Sequence, residues 1–151
     1  MASFNASNYQ GAVTSLANRL ESRNVEFTVK YKKASYTSIA TQAANDTINL
    51  AVLPKGCIVI PSLSFIRRNG AAAATLTIDV GDSGDADRYC DGLDAAAAGV
   101  GAFTTPAVPD GAINPYTLTA DTVIVAKIAT ITTPAVGVAL EFLIAYQDLS
   151  S

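Results

Sequence analysis

The 151-residue chain carries 10 Lys and Arg against 13 Asp and Glu, has no histidine, and draws its apolar half mainly from Ala, Val, Ile and Leu. A chain of this size suits one core that folds without disulfides or a structural metal, and this composition excludes a disordered chain. The missing histidine removes the usual general base, the Ser-His-Asp and Cys-His arrangements, and imidazole metal ligation together.

Residues 1–10 (MASFNASNYQ) show neither helix nor strand periodicity and lack the positive segment and apolar run of a secretory signal, so an extended arm is expected. In residues 11–23, Val13, Leu16, Ala17 and Leu20 fall at helical spacing and put one narrow apolar stripe on a short helix, which must pack on something. Up to Lys33 the cations Arg19, Arg23, Lys30, Lys32 and Lys33 outnumber Glu21 and Glu26, while the remainder is acidic. The split suggests a leading segment that meets an acidic partner, against the blander reading of solvated helix and strand faces. Five scattered cations make a weak nucleic-acid footprint. The chain is thereby divided into an arm and helix, 1–24, and a β domain, 25–151.

From Val25 the period becomes two: Val25, Phe27, Val29 and Tyr31 alternate with Glu26, Thr28, Lys30 and Lys32, the pattern of a half-buried strand with the first set inward. A weaker strand is expected over 36–42. Ile48, Leu50 and Val52 alternate again, and residues 53–56 (LPKG) form a tight turn, which predicts a hairpin. Residues 57–68 are apolar on both faces but contain Pro61, which argues for an edge strand or a bulge. After an Asn69-Gly70 turn the alanines 71–74 read as extended, and Leu76, Ile78 and Val80 alternate cleanly. Residues 81–115, rich in Asp, Gly, Ala and Pro, have no sustained period and read as one long functional loop. Two long strands follow, 117–132 and 136–146, separated by Thr133-Pro134. The second puts Val136, Val138, Leu140, Phe142, Ile144 and Tyr146 on one face and Glu141 on the other. Lys127, Pro134 and Glu141 deny this stretch the ~20 uninterrupted apolar residues of a membrane helix. The sum is an all-β, mainly antiparallel chain of about eight strands, a β-sandwich or jelly roll.

Chemistry is sparse. Cys57 sits beside isoleucine and valine and Cys90 among carboxylates, and both settings disfavour the thiolate. Asp79, Asp82, Asp85, Asp87, Asp91 and Asp94 crowd one segment, and Asp82, Asp85, Asp87 and Asp91 are the candidates for a Ca²⁺ site. Their spacing is not that of an EF-hand, and Asp and Gly recur in turns because the carboxylate bonds nearby amides. No cofactor is expected. The absence of tryptophan and of an aromatic row argues against a sugar groove, and residues 99–101 lack the rest of a phosphate loop.

The order of blocks AVLPKGCIVI, TLTIDVGDSGDADRYCDGLD, an Ala/Gly stretch, LTADTVIVAKI and VGVALEFLIAY resembles small virion proteins of tailed bacteriophages, of the head decoration or cement type, over about residues 47–146. The arm and helix have no counterpart in that pattern. The resemblance implies a β-sandwich subunit, often a homotrimer, that binds the major capsid protein on the outside of the capsid and reinforces it, with assembly in the bacterial cytoplasm. On that reading Phe4, Tyr9, Val13, Leu16, Leu20, Arg19 and Arg23 grip the capsid. Neither a membrane nor direct nucleic-acid contact is implied. The alternatives are a tail, baseplate or fibre component, a coat subunit, or a Ca²⁺-dependent binding module.

Overall fold

The computed structural model describes residues 28–104 and 108–149. Strands β1 (Val29–Thr37), β2 (Thr47–Leu53), β3 (Cys57–Val59), β4 (Phe65–Arg68), β5 (Ala73–Asp82), β6 (Asp85–Asp94), β7 (Gly99–Ala102), β8 (Thr122–Pro134) and β9 (Ala139–Asp148) form two antiparallel sheets. One has the order β1-β9-β4-β7, with β3 also on β9; the other has the order β2-β8-β5-β6. A one-turn helix, α1 (Asp110–Ile113), sits in the connection from β7 to β8.

The alternation that marked β5, β8 and β9 builds the core. Leu140, Phe142, Ile144 and Tyr146 of one sheet meet Leu76, Ile78 and Val80, and Ile124, Ala126 and Ile128, of the other in a single buried cluster. Each large side chain removed from water there contributes about 1.5–3 kcal/mol. Period two in β9 leaves Glu141 on the outer face, beside Lys33 and Arg67.

Pro61 breaks the ladder beside β9, and the fold repairs the break. Residues 61–63 make a 3₁₀ turn between β3 and β4, so the two short strands lie end to end along β9. Buried Ser64 fills the gap: its Oγ donates to the Ile60 carbonyl (2.8 Å) and accepts from the Ala145 N–H (2.9 Å). Neither β3 nor β4 is therefore a simple edge strand.

Four expectations are corrected. The inward face of β1 is the even one: Ala34 and Tyr36 pack on the core, opposite Phe142 and Leu140, while Tyr31 points outward and is 51% exposed. The first half of β1 is open on both faces, so the alternation seen there marks a strand without marking which side the core lies on. No strand spans 36–42. β1 ends at Thr37, and residues 38–46 form successive turns: Gln42 accepts from the Ile39 N–H, Asp46 accepts from the Ala43 N–H, and Asn45 takes φ 72°.

The turn at 53–56 is present, with Gly56 at φ 88°, but it joins no hairpin. β2 pairs with β8 and β3 with β9, so the chain crosses between sheets there. Leu53 and Cys57, both fully buried, anchor the crossing, and Gly56 N–H donates to the Leu118 carbonyl instead of to β2. Lastly, the stretch expected as one long loop contains β6, β7 and α1. β5 and β6 form a hairpin around Ser83-Gly84, with Asp82 opposite Asp85. At Gly81 a Cβ would stand 2.0 Å from the Asp85 carbonyl oxygen, so the hairpin closes only over glycine.

Candidate interaction surfaces

All turns at one end of the sandwich are poor in charge. Residues 69–72, 95–98 and 133–138 read NGAA, AAAA and TPAVGV, and Ile39 and Val136 are exposed beside them. The opposite end holds the β5–β6 turn, the crossing at 53–56 and residues 108–121 before β8. The residues expected to grip a capsid (Phe4, Tyr9, Val13, Leu16, Arg19, Leu20 and Arg23) and the expected helix lie outside the described residues.

A buried polar cluster holds the second end together. Asp82 Oδ1 accepts from Gly84 N–H (2.9 Å) and Asp85 N–H (3.2 Å), and its Oδ2 accepts from the Tyr89 hydroxyl (2.9 Å). Arg88 Nε lies 3.2 Å from the same Oδ2, an ion pair without hydrogen-bond alignment. Its guanidinium stacks 3.9 Å over the Tyr116 ring, and Gly111 of α1 abuts the Arg88 backbone and the Tyr89 ring. Burial and the adjacent Asp82 carboxylate raise the Tyr89 hydroxyl above its ordinary pKa, so it donates steadily. The connection to β8 is thus fastened to β6 by residues whose charges are already matched.

The four calcium candidates separate in this setting. Asp82 spends its oxygens on protein donors, whereas Asp85, Asp87 and Asp91 line a shallow depression of about 170 Å³ with Arg88 and Asp110. The Asp87 carboxyl, bonded to Asp85, raises the pKa of Asp85, and partial burial adds to the effect. Asp79 caps Gly92 N–H and Asp94 caps Ala96 N–H. Among the described residues no group of three or more His, Cys, Asp or Glu is arranged to hold a metal ion. Cys57 and Cys90 are free, buried thiols. Burial raises both, Cys90 to about 12, so neither supplies a thiolate near neutrality.

Two sheet faces offer contact area. On the outside of the second sheet, Val123, Val125 and Lys127 of β8 floor a groove of about 650 Å³, bounded by Arg88, Tyr116 and Asp121. Beside it Val52 and Val123 are 59% and 42% exposed. On the outside of the first sheet, Phe65 and Leu143 sit in register beneath Lys33, and Glu141 bridges Lys33 (2.7 Å) and Arg67 (3.4 Å). An apolar floor with a polar rim is the usual form of a protein-binding surface. The sequence marked neither patch, because each is assembled from residues tens of positions apart.

The sheet margins are guarded. β1 carries three lysines, β2 a bulge at Asn49/Ala51, β6 four aspartates and two register shifts, and β7 spans only four residues. Such features discourage strand addition, which leaves side-chain contact as the way to meet a partner.

No protein-family model matches the chain, and no curated protein matches it in sequence. Solved structures do. The chain is similar to a chain of the capsid of Ralstonia phage GP4 (21% identity, TM-score 0.62, 82% of this chain and 86% of that one). It is also similar to a chain of the cyanophage Pam1 capsid asymmetric unit (18% identity, TM-score 0.59, 81% and 86%). A third is a chain of the acidic stable capsid of Helicobacter pylori bacteriophage KHP30 (20% identity, TM-score 0.52, 82% and 90%). At these identities the likeness is one of fold, and the paired shares make the matched chains close to this one in length.

Proposed function

We propose that the chain is a non-enzymatic structural protein of a tailed-phage virion, which decorates the capsid by binding major capsid protein subunits from outside and works as a homotrimer. The observation that carries this reading is the fold likeness, over 81–82% of this chain, to chains of similar length in three phage capsid structures. The surface chemistry agrees with it. Both thiols are buried and held protonated, and Asp82 is occupied by structural donors. What the molecule offers is area: apolar floors on two sheet faces and an uncharged, alanine-rich end. Specific interfaces bury about 800 Å² per partner, and repetition over a shell lets modest contacts add through avidity.

On this reading residues 1–24 make the grip, with Phe4, Tyr9, Val13, Leu16 and Leu20 as apolar anchors and Arg19 and Arg23 as cations. The test is to delete residues 1–24 and add the protein to undecorated capsids. Occupancy should collapse while the sandwich still melts cooperatively; full occupancy would eliminate this docking role.

A further inference from the structure

Charge is sorted between two opposite sides of the sandwich. β1 lies over β2 on one side and β7 over β6 on the other. The first side carries Lys30, Lys32 and Lys33 on one open strand, with exposed side chains. The second carries Asp87, Asp91 and Asp94 on the other open strand, all exposed. Lys30 and Lys33 are partly matched within the subunit, by Asp148 (3.1 Å) and Glu141 (2.7 Å), yet Lys32 forms no ion pair among the described residues. On the acidic side Arg88 is matched by Asp82, and Arg68, bonded to the Asp94 and Gly99 carbonyls, is one cation against the four aspartates of β6. The two open strands are thus of opposite charge: β1 carries three cations and no anion and β6 four anions and one cation, with Asp46 near Tyr36 offsetting part of the basic side.

We propose that copies of this chain associate head to tail, the lysine-bearing β1 side of one copy against the aspartate-bearing β6 side of the next. The inference rests on the self-association part of the reading above and names the surfaces that would carry it. A two-fold contact would place each side against itself, lysine on lysine or aspartate on aspartate, and is disfavoured. A heterologous contact brings unlike sides together and closes into a ring when its rotation permits. The irregular register of β6 keeps the joint from becoming a continuous sheet, so side-chain charge sets its orientation.

The test uses the full-length chain and sedimentation equilibrium. Wild type should be multimeric at about 20 mM salt and shift toward monomer near 500 mM, where the screening length falls to a few ångströms. Lys30→Glu/Lys32→Glu has two acidic sides and Asp87→Lys/Asp91→Lys has two basic ones, so each alone should remain monomeric at low salt. Their equimolar mixture should associate, because every contact between unlike variants regains opposite charge. Circular dichroism melts establish that both variants fold. A wild type whose mass ignores salt, a folded variant that self-associates like wild type, or a mixture that stays monomeric would each overturn the proposal. Capsid binding separates this from the decoration reading: a monomer that still coats capsids refutes only the head-to-tail contact, and a salt-sensitive ring that never binds capsids refutes only the decoration.

Discussion

Asp82→Ala is the most informative single change, because one carboxylate serves four partners. The Tyr89 hydroxyl it accepts from is buried, and an orphaned buried donor costs about 1–3 kcal/mol. Arg88 and Asp82 are 17% and 5% exposed at their side chains, and breaking a pair buried to that degree typically costs about 3–5 kcal/mol. Arg88 recovers part of this from the Tyr116 ring and from Asp85 at 4.0 Å, and the terms overlap. The expected loss is about 3–5 kcal/mol, a large share of the 5–15 kcal/mol that holds a domain together. Urea unfolding should show the midpoint falling with an unchanged slope. Adding Tyr89→Phe to Asp82→Ala should restore about 1 kcal/mol, since the orphaned hydroxyl goes, whereas Tyr89→Phe alone should destabilise. A loss below about 1 kcal/mol, or equal effects of Tyr89→Phe in both backgrounds, would refute the claim that this cluster braces the fold.

Ser64→Ala should cost about 1–3 kcal/mol by chemical denaturation, because it unpairs the buried Ala145 N–H beside the Pro61 break, while the Ile60 carbonyl keeps the Leu63 N–H; a neutral result would mean that the ladder needs no repair. Gly81→Ala should be far more damaging than Gly70→Ala in thermal melts, since its Cβ meets backbone at 2.0 Å whereas at Gly70 only Val138 methyls stand near, at 3.6 Å. For Cys90 the folded-state pKa, about 12, lies above the ordinary thiol value of 9.0, so its stabilising contribution is complete below about pH 9 and is lost as pH rises toward 12. The loss should approach about 2 kcal/mol near pH 10.5. Cys90→Ala should flatten the fall in urea midpoint between pH 8 and 10.5; an unaltered slope would contradict the assignment.

Period two identified β5, β8 and β9 because each keeps one alternating face on the core despite the bulges in β5 and β8. It misled at β1, where Val29 and Tyr31 alternate correctly yet lie outward, because the strand runs past the residues that seal the core. It was silent at β6, where register shifts put Tyr89 and Cys90 inward together and dissolve the alternation. The turn at 53–56 was legible as a turn, but only the tertiary partners of Leu53 and Cys57 decide that it crosses between sheets. The aspartates were legible as a cluster, and their hydrogen bonds to Gly84, Gly92 and Ala96 amides followed from Asp chemistry in turns. The sorting of lysines and aspartates to opposite sides was not, since it depends on strand order.

The most direct test of the proposed function is electron cryo-microscopy of phage particles assembled in cells that express this chain, with the copy number read from the map. The account predicts the sandwich on the outer surface of the head, repeated with the capsid lattice in hundreds of copies. Heads bare of it, or a handful of copies confined to the tail, would contradict the account.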